Sequence, residues 1–172
     1  TIYRDTKGIP HIKAFTTHDA IFGQGLATAQ DRLWHMERDR RVGYGRWAEV
    51  VGTEGIDDDI LMRKFRIKSS VEADYAALNN ETKNIIKAYT LGVNTFINTT
   101  SRLPVEFKIT GLYPEPWRPE DCLAVFKTRH ILMGVFEGKI WRARLINALG
   151  PEEAAKIIQD NPELFWLLPQ VQ

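Results

Sequence analysis

Few residues in this sequence are spaced for chemistry. The four histidines, His11, His18, His35 and His130, show no H-x-x-x-H pattern, and Cys122 is the single cysteine. That excludes a helical two-histidine metal motif and a thiolate zinc site, so each histidine reads as structural or exposed. Asp57-Asp58-Asp59 lacks the alternating ligands and the glycine of an EF-hand loop and reads as a solvated, acidic helix start. Serine occurs only at Ser69, Ser70 and Ser101, never within G-x-S-x-G. Cys122 falls in the first turn of an expected helix, where a thiol pKa can drop, yet it reads better as a small buried filler. Thr1 has an α-amine able to serve as its own base, but we expect only the point where an ordered or processed segment begins. Gly23-x-Gly25 lies inside a helical pattern and is expected to permit close packing rather than to cradle phosphate.

The densest polar segment runs from Gln30 to Arg41. It carries charges of both signs at i,i+3 and i,i+4 spacing, which suggests Asp31 with His35, and Glu37 with Arg40 and Arg41. Arginine interleaved with Trp34 resembles a nucleic-acid surface, but the matched acids argue against it. A buried structural ion network that performs no chemistry is the expectation.

The elements that must position these groups can be read from periodicity. Ile2–Asp5 and His11–Phe15 are short β-prone runs around Thr6-Lys7-Gly8, a hairpin. A lone hairpin is marginal in water, so its strands are expected to join a sheet supplied by another chain. Thr16 and Asp19 mark a helix start, and Phe22, Leu26, Ala29, Leu33 and Met36 form one stripe to about Arg41. Shorter helices are expected over 46–51, closed by Gly52, over 57–65, and through Val71, Tyr75 and Leu78 to Asn79-Asn80. Ile85, Ile86, Tyr89, Val93, Phe96 and Ile97 define a further amphipathic helix. Residues 101–119, with four of the eight prolines, read as an irregular connection. Pro119, Glu120 and Asp121 suit the start of a long helix to about Leu149, with Leu123, Phe126, His130, Met133, Ile140 and Leu145 facing inward and Gly134 and Gly138 interrupting it. Gly150-Pro151 is a stop followed by a new start.

At 172 residues and 44% apolar content, with 23 basic and 22 acidic side chains, the chain reads as one globular unit able to bury roughly 70% of its unfolded surface. The charge balance lacks the basic field that nucleic acid or an anionic membrane selects. No apolar run approaches the ~20 residues of a membrane span. The absence of an initiator Met and of a signal peptide suggests processing or trimming. The segment Leu164–Gln172 is uncharged and apolar, and it either folds back on its own core or is covered by a partner.

The segments R-D-T-K-G-I-P-H-I at 4–12, F-G-Q-G-L-A-T-A-Q-D-R-L-W-H-M-E at 22–37, R-R at 40–41 and G-R-W-A-E-V-V-G at 45–52 are met in order. They are followed by Y-T-L-G-V-N-T-F-I at 89–97, Y-P-E-P-W-R-P-E-D at 113–121 and R-L-I-N-A-L-G at 144–150. Together they resemble the α chain of the penicillin acylase (penicillin amidase) family of N-terminal-nucleophile hydrolases, over nearly the whole chain. The resemblance implies an α+β fold: a mainly helical α subunit whose hairpin (1–15) and helical layer and tail (16–172) complete a four-layer αββα sandwich with a β chain.

The resemblance further implies a precursor that cuts itself into α and β chains, with a catalytic Ser and its free amine at the start of the β chain. The reaction is acyl transfer from an amide through an ester intermediate. No catalytic residue is then expected in this chain. Met133, Phe136 and Leu132 are the expected acyl-pocket residues. The resemblance also implies, from the penicillin G acylases of the family, a structural calcium ion touched by an α-chain Glu. An ungapped alignment puts Lys139 there, which leaves Glu137, two residues away, as the metal candidate and the β chain as the main holder of calcium. No cofactor is required for the chemistry, and the location implied is periplasmic or secreted. The implied substrates are N-acylated compounds such as β-lactam antibiotics. Alternatives are an N-acyl-homoserine-lactone or cephalosporin-type acylase, or a non-catalytic helical binding module.

Overall fold

The structure, a computed structural model, describes residues 1–134 and 136–158, without the side chains of Leu132, Phe136 and Glu137. The uncharged segment 164–172 lies outside the described residues. Two compact units are present, Thr1–His130 and a second beginning at Ile131. The described residues are mainly helical, and no described helix is long and apolar enough to cross a membrane.

The hairpin pairs β1 (Ile2–Arg4) with β2 (Pro10–Ile12) in antiparallel register, Tyr3 opposite His11. Its turn is built by Asp5, whose carboxylate accepts the backbone N–H groups of Lys7 (2.9 Å) and Ile9 (3.0 Å), and by Gly8 at φ +79°. The rings of Tyr3 and His11 stack at 4.9 Å. The second strand stops at Ile12, short of the expected Phe15, which is fully exposed.

Helix α1 (Thr17–Gly43) starts as its sequence signal indicates: the Thr16 hydroxyl accepts the Asp19 N–H at 3.1 Å. Asn79 caps α5 (Asn80–Thr99) in the same way through the Thr82 N–H. These two helices cross closely because small residues meet. A Cβ at Gly25 would lie 2.1 Å from the Tyr89 carbonyl oxygen, and one at Gly92 2.1 Å from that of Phe22. Ala29, Leu33, Met36 and Val93 form the adjoining core with Phe107 and Trp117.

Beyond α1, Gly45 (φ +63°) turns the chain into α2 (Ala48–Val51), and Gly52 (φ +73°) closes it, followed by a 3-10 turn. Helices α3 (Ile56–Lys64) and α4 (Ile67–Ala77) follow. The proline-rich connection is not wholly irregular. Val105–Thr110 forms α6, which buries Phe107, and the side-chain amide of Asn94 bonds both the N–H and the C=O of Trp117.

The expected continuous helix over 119–149 is instead two, α7 (Pro119–Leu132) and α8 (Phe136–Leu149). Gly134 donates its N–H to the Ile131 carbonyl at 3.1 Å and ends the first, consistent with the poor helix propensity of glycine. Gly138 lies within α8 and does not break it. The expected inner face also differs: Phe126 and Met133 are exposed, and α7 buries Asp121, Ala124 and Thr128. Small residues let α7 approach closely, and Asp121 is drawn inward by Arg40. Gly150 (φ +79°) precedes α9 (Pro151–Ile157), as its Gly-Pro signal indicates.

Candidate functional site

The polar segment on α1 becomes the centre of a buried charge network in the first unit. Glu37, Arg40, Arg41 and Asp121 are all almost fully buried. Glu37 accepts from Arg40 and, at 2.7 Å, from Arg41 Nε. Arg40 also reaches Asp121 at 3.1 Å and the carbonyls of Glu115 and Pro116, while its guanidinium lies 5.0 Å from the Trp117 ring centre. Arg41 continues to Glu49 and Glu115. Arg46 grips both carboxylate oxygens of Glu115, at 2.7 and 3.0 Å, and both of Glu49. Asp121 receives the Tyr44 hydroxyl at 2.8 Å and the Arg118 N–H at 2.8 Å.

These contacts set the ionisation of the cluster. The Arg46 guanidinium holds Glu115 down at about 2 and lowers Glu49, while those two carboxylates raise Arg46. Burial, reinforced by Asp121, raises Tyr44. Glu115 and Glu49 are therefore kept charged against Arg46 and are not poised to take a proton near neutrality. Glu37 and Asp121 are committed to arginines by direct contact. The network joins α1, α2 and the segment before α7, and chemically it can hold but not react.

The expected Glu37 pairs are present. Asp31 and His35 are not paired, because Arg32 between them is non-helical (φ −138°, ψ 18°), which disrupts the i,i+4 geometry. Asp31 instead meets Arg4 of the hairpin at 2.8 Å, and His35 lies 3.4 Å from Asp39, which also holds Arg129. All four histidines are exposed.

The acidic triplet needs correction. Asp57 and Asp58 are exposed, but Asp59 is buried, and its two oxygens accept the backbone N–H groups of Trp47 (2.7 Å) and Ala48 (2.9 Å). Asp59 thus caps α2 from twelve residues away, which local spacing does not reveal. Among the described residues no group of three or more His, Cys, Asp or Glu is placed to hold a metal. The Glu137 side chain lies outside the described residues.

Ser70 accepts from Lys127, which also pairs with Asp74 at 2.6 Å. Burial raises the Cys122 thiol pKa, opposite to the lowering that a first-turn position favours. Its neighbours are Trp117 Nε1 at 3.4 Å and Thr90. Cys122 lines a cavity of about 580 Å³ with Met36, Ile85, Tyr89, Trp117 and Val125, alongside the polar His35, Asp39 and Arg129. This cavity can receive an apolar group but offers no activated nucleophile.

Of the expected acyl-pocket residues, Met133 is 81% exposed in the turn after α7. Leu132 ends α7 and Phe136 begins α8, and their side chains lie outside the described residues. Met133 and Phe136 stand three residues apart, a spacing that would share one face of a continuous helix, but α7 ends at Leu132 and α8 begins at Phe136.

The model of the penicillin amidase family matches residues 1–163. Penicillin acylase 2 proenzyme of Pseudomonas sp. strain SE83 is 39% identical over 99% of this chain and 22% of its own length. Acyl-homoserine lactone acylase QuiP of Pseudomonas putida is 31% identical over 98% of this chain and 20% of its own length. The chain thus spans about a fifth of the curated relatives it matches. The solved structure of a thermostable penicillin G acylase from Alcaligenes faecalis superposes with a TM-score of 0.74 at 25% identity, over 99% of this chain and 97% of that one.

Proposed function

From the premise that the chain belongs to the penicillin amidase family, we propose that it is the α subunit of a heterodimeric hydrolase cleaving the amide of N-acylated substrates such as β-lactam antibiotics. One observation carries this reading. The chain spans 22% of a relative named as a proenzyme, yet matches 97% of a single chain in a solved penicillin G acylase. A relative of this family therefore contains a separate chain of this extent. The commitment of the α1 network's carboxylates to arginines agrees with a scaffolding role.

In this reading the rest of the precursor supplies the β chain. Its first residue, a Ser, attacks the amide carbonyl, its own α-amine takes the hydroxyl proton, and β-chain donors bind the oxyanion. The hairpin extends a sheet of the four-layer αββα sandwich. Met133, left exposed by the break between α7 and α8, contributes with Leu132 and Phe136 to the wall that reads the acyl group. Calcium, where bound, is held mainly by the β chain, and the enzyme works in the periplasm or outside the cell.

The second reading, an acyl-homoserine-lactone acylase, is favoured by the 31% identity to QuiP over nearly the full chain. Both readings are tested on the enzyme expressed from its complete gene. Intact mass under denaturing conditions should show this chain and a larger one whose sequence starts with Ser. An active, uncleaved single polypeptide would contradict the heterodimer. Hydrolysis rates for penicillin G and for a series of acyl-homoserine lactones then separate the two substrate classes. Within whichever class is cleaved, Met133→Ala should change the ranking of acyl groups by up to about 1–3 kcal/mol and leave amine preference unchanged. A uniform loss would exclude Met133 from the pocket.

A further inference from the structure

A second cavity of about 550 Å³ is bounded by the end of α1, by α3 and by the start of α4, and its walls carry uneven charge. Arg46, Arg63, Arg66, Lys68 and Arg118 line it, against Glu72 alone among acids of the described lining. That contrasts with a chain whose basic and acidic residues nearly balance. Arg46 is matched by Glu49 and Glu115, and Arg118 by Asp121. Arg63, Arg66 and Lys68 have no carboxylate partner among the described residues.

Two arginines at this cavity, Arg63 and Arg118, are held in place by groups that leave donors free. Arg63 Nε donates to the Gly45 carbonyl at 3.0 Å, which fixes the guanidinium while its two terminal nitrogens stay uncommitted. Arg118 lies over the Tyr44 ring, 5.9 Å from its centre, and uses one nitrogen for its contacts with Tyr44 and Asp121. Fixed guanidinium forks match the oxygens of a tetrahedral anion, and a concave basic wall concentrates the positive potential. Like charges gathered in one concavity repel each other until an anion neutralises them.

We propose that this cavity binds a small phosphate-type dianion, either inorganic phosphate or a phosphomonoester. Arg63, Arg66 and Lys68 supply the unmatched charge, and Arg118 closes the cradle. The site does not depend on the hydrolase reading.

The test is calorimetric titration of the mature enzyme with inorganic phosphate, at an ionic strength held constant with chloride. Saturable one-to-one binding is expected. It should weaken at least tenfold in Arg66→Glu/Lys68→Glu and by a smaller factor in Arg66→Gln, with amide hydrolysis and thermal midpoint unchanged in the milder variant. Absence of saturable heat in the unmodified enzyme, or equal affinity in all three proteins, would overturn the site. A parallel arm uses phosphatidylglycerol vesicles. Cosedimentation with vesicles in the absence of phosphate binding would also overturn it, because the charge would then serve a membrane surface.

Discussion

The two halves of α1 pack by opposite means. Toward its start the helix meets α5 through Gly25 and Ala29, with backbones almost touching and no charge involved. Toward its end it meets α2 and the segment before α7 through Glu37, Arg40 and Arg41, which are buried and paired with one another or with Asp121. The first contact is defined by shape and fails when volume is added. The second is defined by pairing and fails when one partner is removed, since a stranded buried charge costs more than the pair contributes.

The sharpest way to break the second half is Glu37→Ala, which strips Arg40 and Arg41 of a shared carboxylate. A loss of about 3–5 kcal/mol is expected, seen as a collapse in the yield of processed enzyme and a large fall in thermal midpoint. An unchanged midpoint would show that Asp121, Glu115 and Glu49 suffice alone. Gly25→Ala attacks the first half. Its methyl group meets the Tyr89 carbonyl, so the helices must separate at a cost of about 1–3 kcal/mol. If Gly25→Ala proves neutral, the crossing is looser than its geometry indicates. Asp59→Ala removes the cap of α2 and is expected to cost about 1 kcal/mol, measured by the same midpoint, because only two backbone donors lose their acceptor.

Acid distinguishes the halves without mutation. The ordinary carboxyl value of Glu115 is 4.5, and Arg46 holds it at about 2 in the folded chain. A carboxylate depressed on folding contributes stability that is present above its unfolded value and lost as pH falls through the folded one. The network should therefore weaken between about pH 4.5 and pH 2, and Glu115→Gln should flatten that part of the midpoint-versus-pH curve. The close contacts of the Gly25 crossing include Tyr89, whose hydroxyl is raised above its ordinary value of 10.0, but no carboxylate, so Gly25→Ala should lower the curve without changing its slope there.

Local signals were readable wherever their partners were near in sequence. The Thr16 cap, the Gly52 and Gly150 stops and the Glu37–Arg40–Arg41 pairs all lie within a few residues of what they bond. What escaped notice depends on long-range partners. Asp59 reaches back to α2, Asp121 bonds Arg40, and Glu115 joins Arg41 and Arg46. Single backbone departures also hid from periodicity: the non-helical Arg32 removed the Asp31–His35 pair, and the turn at Gly134 divided a helix that spacing alone made continuous. For the candidate pocket, helical spacing put Met133 on an inner face, whereas the structure exposes it in the turn after α7, because that face depended on an unbroken helix.

The central claim is that the ionised residues of this chain hold structure and perform no chemistry. Asp121→Asn tests it most directly, because Asp121 is the most buried acid of the network and receives Arg40, Tyr44 and Arg118. The measurement is kcat per titrated active site, on whatever processed enzyme forms, alongside its thermal midpoint. The account predicts a lower midpoint and yield with kcat within a few-fold of the unmodified enzyme. A normal midpoint with kcat reduced a thousandfold would mean that this chain does chemistry, and would contradict it.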